Sequence, residues 1–393
     1  MIKKILDTRH MDSNKTVVYC TRCINSNQRP GLTFDEQGVC DACQYSDLKE
    51  KVIDWNEREK ELVNLLDKYR SKDGSFDVIV PSSGGKDSCF VAHQLKHKYN
   101  MHPLAVTWAP AIYTDIGWQN LQSFRHAGFD TVLCLPDGKV YAKLARLGFE
   151  LMGDPFWPWH YGQRAFPLNM AVKFKIPLII YGEMTRVEYG GGRELWYKPN
   201  ETYEDLKNYF HINTKGVDSM VDEGLKYGLI DNSDLSSIAL YRLPHLEEVK
   251  KLGTEVHWFS YYKKWIPQEN YYYATKHCGF KPNPKRSEGT YSKYASLDDK
   301  IDGLHFYMQY IKFGFGRCTS EASQEVRSGH INREEAVALA NKYDGEFPQE
   351  HFKECLEYMG ISEEDFWNVA DQFRPPHLWE KIDGQWHLKT RLK

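Results

Sequence analysis

The sequence predicts an α/β protein: a doubly wound, mainly parallel sheet, preceded by a small cysteine-rich module and followed by a helical region. Three observations predict this. Between residues 75 and 295 short apolar runs alternate with helical patterns, the signature of a parallel sheet covered on both faces. Two C-x2-C pairs fall within the first 45 residues. After residue 295 the strand patterns stop, and helical stretches split by glycines take over.

Residues 1–45 are rich in turn formers and too poor in apolar residues to fold unaided. Cys20, Cys23, Cys40 and Cys43 have the spacing of a four-thiolate zinc site. Such a site has a closed coordination sphere and is structural, and in isolated modules zinc stabilises the fold by roughly 10–16 kcal/mol. A redox pair or unmetallated thiols are the alternatives. Residues 46–74 carry apolar positions at helical spacing amid dense charge and read as one linking amphipathic helix.

Residues 75–295 form the main body. "FDVIVP", "PLAVTW", "DTVLCL", "IPLIIYG" and "TEVHWFSYY" are the strands. Between them lie the helical "KDSCFVAHQLKHKYN", "IGWQNLQSFRHAG", "GKVYAKLARLGFELM" and "YGQRAFPLNMAVKFK", then a long, mostly helical insertion before the last strand. Residues 296–393 are read as helices alone, among them "INREEAVAL" with its N-cap asparagine and early glutamates.

The first strand runs into "SSGGKDS", Ser82 to Ser88. Ligands of open parallel sheets bind at the carboxyl ends of strands, near the point where strand order reverses. Gly84 and Gly85 let backbone approach an anion, and the following helix offers amides and roughly +0.5 of a charge from its dipole. Ser82, Ser83 and Ser88 add hydroxyl donors. The loop is not a Walker A sequence, because Val80 stands where glycine is needed and Asp87 follows the lysine. An aspartate there repels phosphate unless a metal lies between them, so Asp87 reads as a Mg²⁺ ligand and Lys86 as the phosphate clamp.

Glu183 and Arg186 follow the strand "IPLIIYG" and are candidates for substrate or metal contact; an ion pair at a solvated loop end is the plainer alternative. Asp115 follows the second strand, with helix capping as its alternative. Arg317, beside Gly314 and Gly316, could hold a phosphate, or form a surface salt bridge. Tyr189 to Gly192 could be a flexible lid. His160 and His257 sit among aromatics, where core histidines are commoner than acid–base groups. Cys89 falls on an apolar helix face and reads as a buried small hydrophobe.

Composition narrows the classes further. A net charge of −3 argues against a nucleic-acid coat, and 41% hydrophobic with 27% charged residues describes a soluble globular protein. No apolar run reaches membrane-spanning length, and "MIKKILDTRHMDSNK" lacks a signal-peptide core, so a cytoplasmic location is expected. Of nine cysteines, five are scattered singly.

"SSGGKDS" resembles the loop of the ATP pyrophosphatase (PP-loop) superfamily, which grips the β- and γ-phosphates while the α–β bond is cleaved. Over nearly its whole length the chain resembles the bacterial N-acetyl sugar amidotransferases of lipopolysaccharide and of pseudaminic or legionaminic acid biosynthesis. The resemblance is carried by "YCTRCINSNQRPGLTFDEQGVCDAC", "VPSSGGKDS", "VTWAPAIYTDIGWQN", "YGEM" and "IDGLHFYMQYIKFGFGRCTSEASQEVRSGHINREEAV". It implies an AMP-forming C–N ligase that uses ATP and Mg²⁺ to turn a sugar acetamido group into an acetamidino group. Ammonia would come from separate glutaminase subunits similar to imidazole glycerol phosphate synthase. An in-chain glutaminase would need a nucleophilic cysteine at position 2, which is Ile2, or a separate glutaminase module, for which the sequence offers no region. Lys86, Asp87 and Glu183 are then the expected catalytic residues. A PP-loop tRNA-thiolating enzyme is the alternative; it would need further reactive cysteines, and no C-x2-C follows Cys43.

Overall fold

A computed structural model describes residues 4–11, 16–209 and 216–393; Ile2 and part of the N-terminal segment lie outside them. The first strand, β1 (Val78–Pro81), is followed by β2 (Pro103–Trp108), β3 (Thr131–Cys134), β4 (Leu178–Tyr181), β5 (Asn200–Glu201) and β6 (Glu255–Trp258). The order across the sheet is β3-β2-β1-β4-β6-β5, with all neighbours parallel except β5, which pairs antiparallel to β6. Strand order therefore reverses between β1 and β4. That is the crevice where ligands of such sheets bind.

Alternation along the strands builds two apolar layers, as the two-residue period demands. Ile79, Leu104, Val106, Ile179 and Val256 face one layer, and Val78, Val80, Ala105, Leu178 and Ile180 face the other. Helix Gly138–Met152, capped by Asp137 through Lys139 and Val140 amides, lies on the first. Its opposite side, Ala145 and Phe149, enters a third cluster with Leu304, Met308, Phe352 and Phe366. The C-terminal helices thus share a core with the sheet domain.

The expected linking helix is two helices, Asp41–Lys51 and Trp55–Tyr69. Asp54 breaks it by capping the amides of Asn56 and Glu57, a stronger local use of its carboxylate than a helix interior offers. The strand expected over "TEVHWFSYY" stops at Trp258 and turns into a short helix, Phe259–Tyr262. Strands also return near the C-terminus, as the hairpin β7 (Trp379–Ile382) and β8 (Gln385–Leu388). Asp383 and Gly384 join them with φ of 48° and 81°, the positive-φ pair that two-residue hairpins require.

The cysteine module docks on the C-terminal helices rather than standing apart. Ile24 is fully buried among Ala322, Ala336 and Ala340. The Arg29 guanidinium donates to Ser320 Oγ at 2.7 Å. Ahead of the module, Leu6 N donates to Leu151 O at 2.7 Å, and buried Asp7 accepts from Lys312 Nζ at 2.5 Å.

Candidate active site

The Ser82–Ser88 loop leaves β1 at the reversal point and runs into helix Lys86–His93. It is braced from within. Gly84 N donates to Ser82 Oγ (3.2 Å), Ser82 Oγ to Ser88 Oγ (3.0 Å), and Ser88 Oγ to Gly85 O (3.1 Å). Gly84 has φ +80°, and a Cβ there would lie 2.7 Å from Leu121 Cα, so no side chain fits. Gly85, the helix N-cap, brings no side-chain acceptor to the first-turn amides, which remain available to an anion.

Lys86 and Asp87 form an ion pair. The other Asp87 oxygen accepts from Asn270 Nδ2 at 3.0 Å. Gly182, at the end of β4, is so close that a Cβ on it would lie 3.9 Å from Asp87 Cβ. The next residue is Glu183. Burial first, and the charge of Asp87 second, push its carboxyl up to about 8, while Lys86 opposes the shift. The Asp87 charge thus disfavours ionisation of Glu183, and a divalent cation would relieve that. Asp87 and Glu183 fit a hard, oxygen-ligated ion such as Mg²⁺ completed by phosphate and water.

From the other side the C-terminal region roofs the loop. Asp298 is hydrogen-bonded to Ser83, and its carboxyl is pushed up to about 6 by burial and then by Asp302. The Lys86 ammonium lies 5.8 Å from the Tyr294 ring centroid. Thr114 Oγ1 bonds Leu297 O, and Gly117 leaves no room for a Cβ against Asp298.

Glu183 also borders a cavity of about 840 Å³. Its wall includes Arg9, Arg164, Trp258, His160 and His305, with Arg29–Gly31 contributed by the cysteine module. Arg164 donates to Glu201 Oε1 at 3.0 Å and lies 4.9 Å from both the Tyr181 and Trp258 ring centroids. Guanidinium groups and indole faces in one concave site suit a polar, anionic, ring-bearing ligand.

The remaining sequence-predicted residues divide. Arg186 lines the cavity, but its guanidinium is engaged by Gly191 O (2.6 Å) and Glu194 (2.6 Å). Arg317 is not on the cavity wall; it bonds Glu321 at 2.6 Å and stacks 4.3 Å from the Phe306 centroid. It acts electrostatically on half-buried Tyr189, which also feels Glu183 and Asp87. Asp115 is exposed in the first turn of helix Asp115–His126, whose cap is Thr114. His257 is held between Tyr262 Oη (2.8 Å) and Glu255 (3.0 Å). Cys89 is buried against Gly84 O. The Tyr189–Gly192 loop is strapped down: Asn25 Nδ2 donates to Tyr189 O (3.1 Å), and Gly191 N to Asp41 Oδ2 (3.0 Å).

Sequence reasoning missed Asn270, Tyr294 and Asp298 around the loop, and Arg9, Arg164 and Asp154 on the cavity wall. None carries a local motif. Each reaches the site from a distant part of the chain.

Cys20, Cys23, Cys40 and Cys43 are buried, with all four sulfurs within 4.8 Å of one another. The Cys23–Cys40 and Cys20–Cys43 sulfurs are 3.6 and 3.9 Å apart. A tetrahedron with Zn–S bonds of 2.3 Å has edges of about 3.8 Å. Amides of Arg22, Asn25 and Cys40 donate to Cys20 and Cys23 sulfurs, stabilising thiolate. Hydrogen bonds among the four push the Cys20 thiol down and Cys43 up, a division that a divalent cation removes. The quartet could hold a structural zinc ion.

Residues 288–393 match the family model described as "LPS biosynthesis protein WbpG-like, C-terminal domain". That span contains Tyr294, Asp298, His305 and Arg317, and the match supports a role in lipopolysaccharide biosynthesis, as an enzyme. No curated protein matches the chain. Among the described residues no helix is long and apolar enough to cross a membrane.

Proposed function

We propose that this chain is an ATP-dependent amidotransferase of the PP-loop type that converts a sugar acetamido group into an acetamidino group during cytoplasmic synthesis of a bacterial surface glycan. One observation carries the reading: Glu183, which feels the charge of Asp87 in the loop at the sheet's reversal point, also borders the 840 Å³ cavity.

The loop amides with Ser82, Ser83 and Ser88 hold the β- and γ-phosphates of ATP, and Lys86 neutralises charge on the departing pyrophosphate. Asp87 and Glu183 would hold Mg²⁺, which supplies charge neutralisation at the phosphates. The sugar lies in the cavity. Its acetamido oxygen attacks the α-phosphorus, the α–β bridging bond breaks, and pyrophosphate leaves an O-adenylyl imidate. Ammonia adds to the imidate carbon and sheds a proton, then the carbon–oxygen bond breaks, releasing AMP and the amidine. Glu183, as a ligand of the Mg²⁺ ion, would stay ionised, and the shed proton passes to solvent. Water would return the intermediate to amide, which a walled cavity opposes. The ammonia donor is a separate glutaminase pair.

The thiolation alternative has less support. Cys89, Cys278, Cys318 and Cys355 are buried, and no cysteine borders the cavity, so no persulfide carrier is at hand. Incubation with ATP, Mg²⁺, ammonium and a panel of N-acetylated free and nucleotide-linked sugars tests the proposal. AMP, pyrophosphate and a product with NH in place of oxygen are expected. ADP as the nucleotide product refutes α-phosphorus attack.

A further inference from the structure

Away from the loop, one part of the cavity wall gathers Asp154, His160 and His305, each offering a ligand atom within 4.8 Å of the other two. The first two flank the start of helix Trp157–Phe174, and His305 lies in the first turn of helix Asp302–Phe313. The sheet domain and the C-terminal region thus each supply donors to one point.

The donors are held in place. Asp154 accepts from Phe156 N (2.9 Å) with one oxygen and lies 2.9 Å from His305 Nδ1 with the other. His160 is wedged between aromatic rings, with Phe156, Trp157, Trp159 and His305 centroids 5.4–5.7 Å away. Its ring nitrogens have no hydrogen-bond partner among the described residues. The neighbouring cations are already engaged: Asp7 takes both Arg9 (2.9 Å) and Lys312 (2.5 Å), and Glu201 takes Arg164 (3.0 Å). The Asp154 carboxylate is therefore not consumed by a guanidinium or ammonium.

We propose that Asp154, His160 and His305 form a second metal centre, binding one divalent transition ion with coordination positions open to the cavity. Two imidazoles and one carboxylate are a donor set for Zn²⁺, Co²⁺, Mn²⁺ or Fe²⁺ rather than for Mg²⁺. A site completed by three protein groups on a cavity wall keeps room for ligand oxygen atoms, unlike the closed cysteine quartet. The centre holds an anionic or vicinal-hydroxyl part of the cavity's occupant. It stands without the amidotransferase reading, since it rests on the donor set alone.

The test is metal stoichiometry of the full chain, without ATP or Mg²⁺, so that no nucleotide phosphate completes a cation site at Asp87 and Glu183. Protein is reconstituted separately with Zn²⁺, Mn²⁺ and Co²⁺, dialysed and analysed by elemental mass spectrometry, with cobalt spectra recorded. Wild type should hold two Zn²⁺ or two Co²⁺ per chain, one showing the thiolate-to-cobalt charge-transfer band of the quartet. His160→Ala and His305→Ala should each drop to one ion with that band unchanged; the retained quartet ion reports that the fold survives. Asp154→Asn should weaken the second site at least ~10-fold. A single ion per wild-type chain with every metal overturns the proposal. So does retention of two ions by the His160→Ala/His305→Ala double variant. A variant that loses both ions is replaced by His305→Gln, to which the same criteria apply.

Discussion

Replacing Glu183 by glutamine should make the protein more stable and less useful. Its carboxyl has an ordinary value of 4.5 and is pushed up to about 8 in the fold. Between those values the folded chain binds one proton more than the unfolded chain, so stability falls as pH rises, by up to about 1.4 kcal/mol per unit. The whole window would amount to about 5 kcal/mol; water in the adjoining cavity reaches the group, and roughly 2–4 kcal/mol is the reasonable expectation. Glutamine has no proton to lose. Variant and wild type should therefore melt together at pH 5, and the variant should pull ahead steadily to pH 8.5. At roughly 1–2 °C per kcal/mol for a chain of this length, the difference is about 2–8 °C. Differential scanning calorimetry across pH 5–8.5 measures it, and taking variant minus wild type cancels the other titrating groups. Mg²⁺ with ATP should close the gap by stabilising the wild-type carboxylate. A difference flat to within about 1 °C over the whole range refutes the placement of Glu183 beside Asp87.

Three other outcomes follow from the geometry. Lys86→Ala should lower kcat for AMP formation by about 10²–10³, the usual cost of losing a preorganised charge partner; steady-state kinetics with undiminished kcat would remove the loop from the reaction. Gly84→Ala forces a methyl against Leu121 backbone at positive φ, and should cost about 2–4 kcal/mol in thermal or urea unfolding along with ATP binding. Stripping zinc with a strong chelator should abolish activity as well as lower Tm, because Asn25 and Asp41 strap the Tyr189–Gly191 loop and Arg29–Gly31 wall the cavity; activity that survives verified zinc loss argues against that coupling.

What was legible in the sequence is what neighbours in the chain decide. The β1 turn announced itself because its glycines, serines and Lys86–Asp87 are consecutive, and β2 and helix Gly138–Met152 matched their patterns residue for residue. The hairpin at Trp379–Leu388 carries an Asp-Gly turn between short flanking runs, a local hairpin signal set among helical patterns. Asn270 and Asp298 could not be read. An asparagine 183 positions from its aspartate looks like any helical asparagine until α-helix and loop meet. Arg317 shows how a local signal leaves a role open: its flanking glycines point to ligand contact, while its Nε bonds Glu321 one helical turn on.

The roof over the loop has a consequence for the life of the protein before it is complete. Ser83 is met by Asp298, and the cavity wall by His305, Lys312 and Phe315, all more than two hundred residues behind the loop on the ribosome. Synthesis runs from the N-terminus, so the sheet strands and the loop leave the ribosome well before their covering exists. A nascent or prematurely ended chain would have the Ser82–Ser88 turn but neither roof nor closed cavity. The Ser82–Ser88 turn and its covering therefore arrive at different times in synthesis, and only a chain extended past Phe315 joins them.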